Sequence, residues 1–589
     1  MKFNRLAQYW QKIDKTSSRL EMTAILARLF KESSGEEIDQ IVYLSLGRLR
    51  PKYEGVEFSL AEKMMVRVIA RAYNRPVDAV TKSFKQKGDL GELIDSATVS
   101  QLHGVTVSQV YDRLMVIAVD SGQGSQERKV NQMAGLLKDL DGLSAKYLVR
   151  IPINNLRLGF SEMTVLDGLS WMNAGDKSLR PVLEKAFNVC ADIGLVAKEF
   201  KNKGIQRIRK IRPQVGVPIR PAKSERLPSA EKIVEKLVRF AVEGKWDGLR
   251  VQIHLDRAFA KAPAGKATLF EEKPQPLVRI FSRNLDNMTA MFPEIIAAVS
   301  KLLIESVILD GEAVGFDPKT GKLLPFQETV QRIRKHGVEG KAKELPLKVF
   351  VYDLLFLNGK SLIDQPFNQR RKLLERTLPR TQRGAGLELA QQEIVTEAKR
   401  LRELRQKYVR LGLEGVMCKK LDTAYQAGAR NFNWVKFKKV TQGELADTID
   451  AVVMGYYAGR GKRTGFGLGA FLVGVPDVKT GQVGSIAKIG TGLSDEQWKE
   501  LKVRCAKFEV RGKPEEYRVD KNLYPDVWLK PQIVTEIMAD EITKSPIHAF
   551  ALALRFPRLI RFRDDKKVEE ATSKNELEKL FKLQGSFAP

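Results

Sequence analysis

The sequence contains few of the residues on which zinc sites and disulfide frameworks depend. Its 589 residues include three widely separated cysteines, Cys190, Cys418 and Cys505, and four histidines that form no HExxH motif. This spacing excludes a CxxC redox pair and a four-cysteine zinc site. We therefore expect free thiols in a reducing interior and no zinc chemistry.

Long apolar runs are absent as well. No segment approaches the roughly 18 consecutive apolar residues that a membrane helix needs. The N-terminal residues "MKFNRLAQYWQKIDK" lack the apolar core of a signal peptide. The sequence therefore predicts an intracellular protein, which we expect in the cytoplasm or nucleoid of a prokaryotic cell.

Acidic residues are too few to balance the basic ones. The chain has 71 Asp and Glu against 100 Lys and Arg, which gives a formal net charge of +29. Such an excess indicates a polyanion as partner. Adaptation for solubility is the alternative explanation, but added positive charge is the less effective route to it. A membrane surface is a further alternative, although no basic amphipathic helix supports it. The composition predicts a nucleic-acid partner.

The length suggests roughly three or four domains. Up to about residue 200, apolar residues recur at helical spacing, and from about 230 to 440 strand-like and helix-like segments alternate. From about 445 onward, short strands separated by glycine-rich turns predict a small all-β barrel. We predict an all-α domain at 1–212, a mixed α+β domain at 222–440 and a β-barrel domain at 445–589.

Three segments need a separate interpretation. The segment 200–226 holds nine Lys and Arg, one acid and three prolines, which predicts an extended basic linker. The glycine-rich segment 459–471 lacks the P-loop spacing, so we predict a hairpin turn between barrel strands. Residues 81–88, "TKSFKQKG", faintly resemble a peptide that binds a sliding clamp, but the end of a helix is the favoured interpretation.

The stretch "KWDGLR", from Lys245 to Arg250, carries the strongest chemical signal. It lies between two apolar runs, at what the pattern predicts to be the end of a strand. A lysine becomes a nucleophile only as a neutral amine, which burial or a neighbouring cation such as Arg250 favours. An amine at this position could attack a phosphorus or a carbonyl. We expect Asp247 to orient Lys245 or the leaving groups rather than to act as the nucleophile.

Further motifs follow in a fixed order, and together they carry a resemblance. They are "SRNLDNMT" at 282–289, "LDGEAVGFD" at 309–317, "YDLLFLNGKSL" from 352, "EGVMCKK" from 414, "GARNFNWVKFKK" at 428–439 and "LRFPRLIRFRDDK" at 554–566. With "KWDGLR", this set resembles the nucleotidyltransferase motifs of ATP-dependent DNA ligases of the archaeal and eukaryotic type. The segments 43–55, 87–93 and 147–170 resemble the helical DNA-binding domain of those ligases. The resemblance covers nearly the whole chain.

The resemblance implies a fold and a reaction. The fold is a helical DNA-binding domain, an adenylation domain and an oligonucleotide-binding (OB-fold) barrel. The reaction is ATP-dependent sealing of nicks in duplex DNA, and Lys245 becomes the lysyl-adenylate. A monomer on nicked double-stranded DNA is expected, with a sliding clamp as a further candidate partner. The OB-fold domain is expected to rotate onto the DNA after the first step.

The resemblance also implies roles for individual residues. Glu243 contacts the adenine amino group and Tyr352 stacks on adenine. The sugar and phosphate contacts fall to Arg250, Arg283, Arg430, Lys436 and Lys438. Without the resemblance, Tyr352 could be a core aromatic, Arg430 a solvated side chain, and the two lysines an ordinary basic strand face. Trp246 is bulkier than the usual occupant of its position, and we expect it to pack beside the nucleotide.

Carboxylates and a C-terminal motif complete the expected site. Glu312 and Glu414 are the candidate ligands for Mg²⁺, which needs only one or two carboxylates because it keeps several waters; Mn²⁺ could substitute. The resemblance implies a nucleotide-binding position near the ribose or the metal for Glu312, and a position on the metal for Glu414. Without the resemblance, each could be a surface acid. The resemblance assigns the pyrophosphate of the first step to the RxDK motif and a supporting role to residues near the lysine. These are Arg563, Asp565 and Lys566 for the motif, and Asp247, Gly248 and Asp310 for support.

Other functions account for only part of this pattern. An RNA ligase or a capping-type guanylyltransferase does not account for the helical region of about 200 residues. An NAD⁺-dependent DNA ligase carries a four-cysteine zinc finger, which this chain cannot build. An inactive nucleic-acid-binding scaffold would leave the motifs unexplained. The sequence leaves open the use of ADP, GTP or dATP, and the choice among replication, repair and recombination.

Overall fold

The computed structural model describes residues 1–94, 104–154, 156, 158–258, 276–334, 336–378, 386–438, 448–459 and 466–586, with side chains up to residue 582. The chain forms two compact units. The first comprises residues 1–61, 99–154 and 158–439. The second comprises residues 62–98, 155–157 and 440–589. The predicted boundaries of three domains stay a prediction.

The first part of the chain is helical, as its apolar spacing predicts. Its α-helices are α1 (Phe3–Asp14), α2 (Arg19–Glu32), α3 (Ile38–Ser45), α4 (Glu62–Ala72), α5 (Val77–Lys87), α6 (Val107–Val119), α7 (Ser125–Lys138), α8 (Gly142–Leu148), α9 (Glu162–Ala174), α10 (Arg180–Cys190) and α11 (Ile193–Ile208). Helices α4 and α5 belong to the second unit and the others to the first.

Side-chain caps fix the starts of several of these helices. The Ser18 hydroxyl accepts a hydrogen bond from the Glu21 amide at the start of α2, and Thr106 and Gln109 form a reciprocal capping box at α6. Helix α5 ends at Lys87, with Gly88 in the left-handed conformation. The segment 81–88 is therefore the end of a helix, as predicted.

The predicted linker at 200–226 is partly wrong. Helix α11 continues through the first nine of these residues to Ile208, with a kink at Gly204, because the prolines lie only further on, at 213, 218 and 221. Residues 209–222 contain neither α-helix nor strand, and 223–226 form a strand. Only the middle of the segment is therefore the irregular chain that was expected.

The rest of the first unit alternates strands and helices. Its strands are β1 (Lys223–Arg226), β2 (Phe240–Lys245), β3 (Leu249–Asp256), β4 (Leu277–Ser282), β5 (Ser306–Gly315), β6 (Leu347–Leu357), β7 (Lys360–Ser361), β8 (Leu387–Leu389), β9 (Gln392–Val395), β10 (Gly415–Lys420) and β11 (Arg430–Lys438). Its helices are α12 (Ala230–Leu237), α13 (Pro293–Ser300), α14 (Phe326–Thr329), α15 (Val338–Glu344), α16 (Phe367–Thr377) and α17 (Ala398–Arg410).

These strands form two sheets. One has the order β1-β11-β10-β2-β9, and the other the order β4-β3-β5-β6-β7 with β8 beside β6. The first packs apolar residues on α12 and α17, and the second packs its main core on α13 and α16. A further apolar cluster contains Tyr352 of β6 and Trp434 of β11, so it joins the two sheets. This is the mixed α+β region predicted from the sequence.

The C-terminal part of the second unit is rich in strands. They are β12 (Ile449–Tyr457), β13 (Ala470–Asp477), β14 (Gln482–Ile489), β15 (Glu509–Val510), β16 (Tyr517–Arg518), β17 (Val527–Leu529), β18 (Val534–Met538), β19 (Glu541–Lys544), β20 (Leu552–Arg555) and β21 (Arg558–Phe562), with helices α18 (Asp495–Ala506) and α19 (Lys574–Ser586). The main sheet has the order β15-β17-β12-β13-β14-β16, and β18 joins β12 to β21.

Strand β12 gives this sheet its curl. It pairs with β13 on one side and, in succession, with β18 and β17 on the other, and its residues 449–456 are all buried. A strand that is shared in this way lets a sheet close on itself, as an OB-fold barrel requires. The predicted fold class is thereby confirmed. Strands β12 and β13 are antiparallel neighbours, but residues 460–465 of the turn predicted between them lie outside the described residues.

Two expectations about absent features can be compared with the structure. The three cysteines are free and buried, as expected for a chain without a disulfide framework. Among the described helices, none combines the length and the apolarity that crossing a bilayer requires.

His254 in β3 makes the stability of the fold depend on pH. Its ring is fully buried; Nδ1 accepts from the Gly216 amide at 3.0 Å, and Nε2 lies 3.0 Å from Gln252 Oε1. The neutral tautomer with a proton on Nε2 satisfies both contacts, and burial lowers the pKa of His254 to about 3.

We expect acid to destabilise the protein through this histidine. Below the ordinary pKa of about 6.5 the unfolded chain binds one more proton than the folded chain, so the free energy of unfolding falls as pH falls. From pH 7.5 to 5 the loss from His254 should be about 2 kcal/mol. Denaturant unfolding of the wild type and of His254→Gln across this range measures it. Parallel pH profiles for the two proteins would contradict the prediction.

Candidate active site

A pocket of about 590 Å³ opens between the two sheets of the first unit. It has the size of a site for a nucleotide-sized ligand. Most of the predicted nucleotide-binding residues that precede β10 line it, and the structure adds neighbours from β10 and β11. Predicted residues in its lining are Glu243, Lys245, Trp246, Gly248, Arg250, Arg283, Glu312 and Tyr352; added residues include Met417, Lys419 and Trp434.

Strand register brings Lys245 beside Glu414 and Lys438. Gly415, the first residue of β10, pairs with Lys245 of β2 on one side and with Lys438 of β11 on the other. The preceding residue, Glu414, therefore lies between the two lysines, with Oε2 at 2.5 Å from Lys245 Nζ and 2.9 Å from Lys438 Nζ. Burial alone would raise the pKa of Glu414, but the two lysines outweigh it and lower the pKa to about 2.

Two glycines allow the backbone to approach this closely. A Cβ at Gly415, where φ is +143°, would lie 2.5 Å from the Phe437 carbonyl oxygen of β11. A Cβ at Gly248 would lie 2.5 Å from the Ala313 carbonyl oxygen of β5. Any larger residue would separate strands that hold the site together, so Gly248 supports the lysine by close packing.

Glu312 lies on β5, where it pairs with Arg250 of β3. Burial raises its pKa to about 7, even though Lys245 and Arg250 act to lower it. Asp247 accepts a hydrogen bond from the Phe326 amide at 3.2 Å, and burial raises its pKa as well. The described residues contain no cluster of three or more His, Cys, Asp or Glu suited to a metal. The carboxylates of Glu312 and Glu414 fit a Mg²⁺ ion that keeps several waters.

Arg250 is held by a buried network. Its Nε and Nη2 donate to the two carboxylate oxygens of Asp310 at 3.1 and 2.6 Å, and Nη1 donates to the Ala222 carbonyl at 2.7 Å. The hydroxyls of Tyr352 and Tyr425 also donate to Asp310, at 3.2 and 2.9 Å. Asp310 thus fixes the positions of Arg250 and Tyr352. The supporting role in catalysis that the resemblance implies for Asp310 stays a prediction.

A second buried ion pair, between Glu243 and Lys419, also lines the pocket. Glu243 is 1% exposed, and its Oε2 lies 2.7 Å from Nζ of Lys419 on β10, while Arg371 Nη1 lies 3.7 Å from its Oε1. Lys419 Nζ stands 4.3 Å from the centre of the Tyr352 ring and 4.5 Å from that of Trp434. The sequence analysis missed Lys419 and Arg371. Alternation along "EGVMCKK" places Lys419 on the same face as Met417, which lines the pocket.

Two further predicted residues, Lys436 and Arg430, lie on β11 and are not among the described residues that line the pocket. Lys436 lies on β11 two residues before Lys438; burial lowers its pKa, and Lys438, Arg430 and Lys245 lower it further. Arg430 begins β11 and is exposed. Trp246 does not extend into solvent but stacks on Phe350 with ring centres 4.7 Å apart.

The RxDK residues lie in the second unit, on and after β21. Arg563 Nη1 donates to Asp450 at 3.0 Å, and its Nε and Nη2 donate to Asp565 at 2.8 and 2.7 Å. Lys566 Nζ donates to the other oxygen of Asp450 at 2.6 Å. Asp450 of β12, which the sequence analysis missed, therefore links the two cations of the motif. A pocket between two sheets with a strand-end lysine in its lining, followed along the chain by a strand-rich unit, is the architecture of a covalent nucleotidyltransferase.

Comparisons with known proteins identify the family. Models described as "DNA ligase N terminus", "ATP dependent DNA ligase domain" and "ATP dependent DNA ligase C terminal region" match residues 2–170, 272–438 and 464–566. The chain belongs to the ATP-dependent DNA ligases and is an enzyme of the three-domain type, as the motif order predicts.

Relatives match over the whole length. A "Probable DNA ligase" of Dictyoglomus turgidum is 42% identical, covering 99% of this chain and 98% of the relative. "DNA ligase 2" of Thermofilum pendens is 38% identical and covers 100% and 98%. A solved structure titled "Pmar-Lig_PreS3" is 19% identical, covers 95% of this chain and 99% of its own, and has a TM-score of 0.54; it supports the fold alone.

Proposed function

We propose that this ligase joins a 5′-phosphate to a 3′-hydroxyl at a nick in duplex DNA through an adenylate carried by Lys245. The contact of Glu414 with both Lys245 and Lys438 carries the proposal. It holds the nucleophile and a second cation at the same end of the pocket. Two cations at this point attract the phosphates of ATP and stabilise the charge that moves among their oxygens.

The reaction proceeds in three displacements. The Lys245 amine, once deprotonated, attacks the α-phosphorus of ATP; a P–N bond forms, and the bond to the pyrophosphate oxygen breaks. The 5′-phosphate of the nick then attacks the same phosphorus, forms a pyrophosphate linkage and releases the lysine. Finally the 3′-hydroxyl attacks the 5′-phosphate, loses its proton and expels AMP. Each step depends on positioning and on electrostatic stabilisation of phosphate oxygens.

Glu312 and Glu414 would hold Mg²⁺, for which Mn²⁺ could substitute. Bound there, the ion would neutralise charge on phosphate oxygens. Glu312 and Glu414 fit this role because both carboxylates lie near Lys245 at the phosphate end of the pocket. Asp247 faces the same region and would help to orient Lys245.

The remaining pocket residues would bind the nucleotide. Glu243 would accept from the adenine amino group and Tyr352 would stack on the base. Phosphate and sugar contacts would come from residues around the lysine, and the pyrophosphate contacts of the first step from the RxDK motif. The first group comprises Arg250, Arg283, Arg430, Lys436 and Lys438; the motif comprises Arg563, Asp565 and Lys566. The helical region and the basic chain after α11 would contact DNA phosphates without regard to sequence.

Labelling tests the function directly. The purified protein is incubated with Mg²⁺ and either α-labelled ATP or adenylate-labelled NAD⁺, and the labelled peptide is mapped by mass. We expect label from ATP alone, on Lys245, followed by sealing of a nicked duplex. Label from NAD⁺ would contradict the proposal, and so would label on another residue. Repeating the assay with ADP, GTP and dATP measures nucleotide preference.

Lys419 should stabilise the adenine end of the pocket. Lys419→Met leaves the buried Glu243 without its nearest cation, so we expect a loss of about 3 kcal/mol in the free energy of unfolding and a higher KM for ATP. Denaturant unfolding and ATP titration of self-adenylation measure the two effects. The double variant Glu243→Gln/Lys419→Met should recover part of the stability. Additive losses would show that the two side chains do not act as a pair.

A further inference from the structure

A second cavity, of about 410 Å³, lies beside the lysine pocket within the first unit. Cations from two parts of the chain line it. Arg48 and Lys52 follow α3 in the helical region, Arg220 and Lys223 lead into β1, Arg283 follows β4 and Arg430 begins β11. Lys223 and Arg283 also line the lysine pocket, so the two cavities are continuous in their walls.

The cations of this cavity are poorly balanced by acids. Glu162, at the start of α9, is the one carboxylate among its described lining residues, and its Oε1 accepts from Arg48 Nη1 at 3.3 Å. Burial alone would raise the pKa of Glu162, but Arg48, Arg220 and Lys52 outweigh it and lower the pKa. One carboxylate is thus shared among at least three cations.

The positive charge around the cavity also affects the pKa values of its own Arg and Lys side chains. Burial lowers the pKa of Arg220; Glu162 and Glu184 act to raise it, and Arg48 acts to lower it. Burial likewise lowers the pKa of Lys223, and Arg220, Arg430 and Arg283 add to the effect. An anion in the cavity would relieve this repulsion.

Two arginines that line the cavity, Arg220 and Arg48, are held in place by packing or burial. The Arg220 guanidinium lies 4.6 Å from the centre of the Phe187 ring, and its backbone is tied to both sides by bonds to Asn188 and Gly428, at 2.8 and 2.9 Å. The Arg48 Nε is buried and has no hydrogen-bond partner in the described part of the chain. A planar guanidinium held in this way is suited to phosphate oxygens.

An aromatic contact joins the part of the cavity wall that comes from the helical region to the part that comes from β4. The ring of Tyr53, next to Lys52, meets the ring of Phe281 on β4 edge to face, with centres 6.3 Å apart. The helical region is therefore anchored two residues from Arg283. This contact holds Arg48 and Lys52 of the helical region on the same cavity as Arg283.

We propose that this cavity binds a phosphate group, with Arg48, Lys52 and Arg220 as its recognition residues. The inference rests on the proposed function, which supplies two sources of the same chemistry: a backbone phosphate of the nicked DNA and the polyphosphate tail of ATP. A phosphate here would connect the helical region to the pocket that holds Lys245.

Two measurements on Arg48→Gln and Lys52→Gln test the inference. The first is affinity for a 5′-phosphorylated nicked duplex over a series of KCl concentrations, and the second is the KM for ATP in self-adenylation without DNA. Lys52 is exposed, so its variant should fold normally. Lys185→Gln is the matched control, because Lys185 pairs with Asp364 at 3.2 Å between the same two regions but outside the cavity.

If the cavity binds a DNA phosphate, each variant should bind the nicked duplex about eightfold more weakly at ~0.1 M salt. The slope of log affinity against log salt concentration should be shallower by about 0.9, and the KM for ATP should be unchanged. An ATP phosphate predicts a KM raised by a similar factor, with unchanged DNA affinity. Either result supports a phosphate site in the cavity and shows whether the phosphate comes from DNA or from ATP. Values equal to those of Lys185→Gln in both assays would overturn it. Absence of self-adenylation in the wild type would instead overturn the proposed function, and the DNA-binding assay would still test the cavity.

Discussion

Lys245→Ala is expected to abolish covalent labelling by α-labelled ATP. The variant has no amine at position 245. Lys438 also contacts Glu414, but it lies on β11, and we assign it to phosphate binding. Removal of a nucleophile from an enzyme lowers its rate by about 10⁴-fold or more. The assay is the amount of labelled protein on a denaturing gel, with Mg²⁺ present.

Two further measurements separate loss of chemistry from loss of fold. Lys245→Ala should still seal a nick that carries a preformed 5′-adenylate, because that step needs no lysine nucleophile. Lys232→Ala is the control, since Lys232 forms an exposed pair with Glu235 on α12. Labelling of Lys245→Ala at the wild-type level would overturn the assignment of the nucleophile. Loss of sealing on the preformed adenylate would indicate that the variant is misfolded.

The resemblance named the residues around Lys245, and each of them lies in a short motif on or next to a strand. Alternation along β11 places Lys436 and Lys438 on one face, but neither alternation nor motif order indicates that Glu414 and Lys438 contact the lysine. The resemblance supplied the roles, but the contacts come from strand register. Gly415 shows this directly, because it pairs with both lysine-bearing strands.

Partners from distant elements could not be predicted in this way. Lys419 faces Glu243 only because β10 pairs with β2, a pairing of residues more than 170 positions apart, and the two lysines of "EGVMCKK" look alike in the sequence. Asp450 likewise meets Arg563 only through the pairing of β12, β18 and β21. Long-range pairings of this kind leave no local signal in a single sequence.

The basic segment after α11 shows a different limit. Proline density predicted an extended linker over 200–226, and the effect of each proline is local. Residues before Pro213 were free to continue the helix, and α11 does so to Ile208. Composition averaged over a segment therefore misplaced a boundary that depends on single residues.

The second large effect is expected in the RxDK motif. Arg563→Ala should slow self-adenylation by about 100-fold, while sealing of a pre-adenylated nick should change by less than about threefold. The pyrophosphate leaves in the first step only, so a cation that stabilises it has no later task. Single-turnover rates of the two reactions, measured on one preparation, give the comparison.

The contacts of Arg563 make this variant informative. Arg563→Ala leaves Asp450 paired with Lys566 at 2.6 Å, so no buried carboxylate is left without a cation and the barrel should remain folded. Arg561→Ala is the matched control, because Arg561 lies on the same strand and pairs with Glu536 at 2.6 Å while 62% of its side chain is exposed. Lys566→Ala should repeat the effect of Arg563→Ala. Equal losses of rate in both reactions would contradict a role of the motif in the first step alone. The contacts of Asp450 would then be assigned to the stability of the barrel.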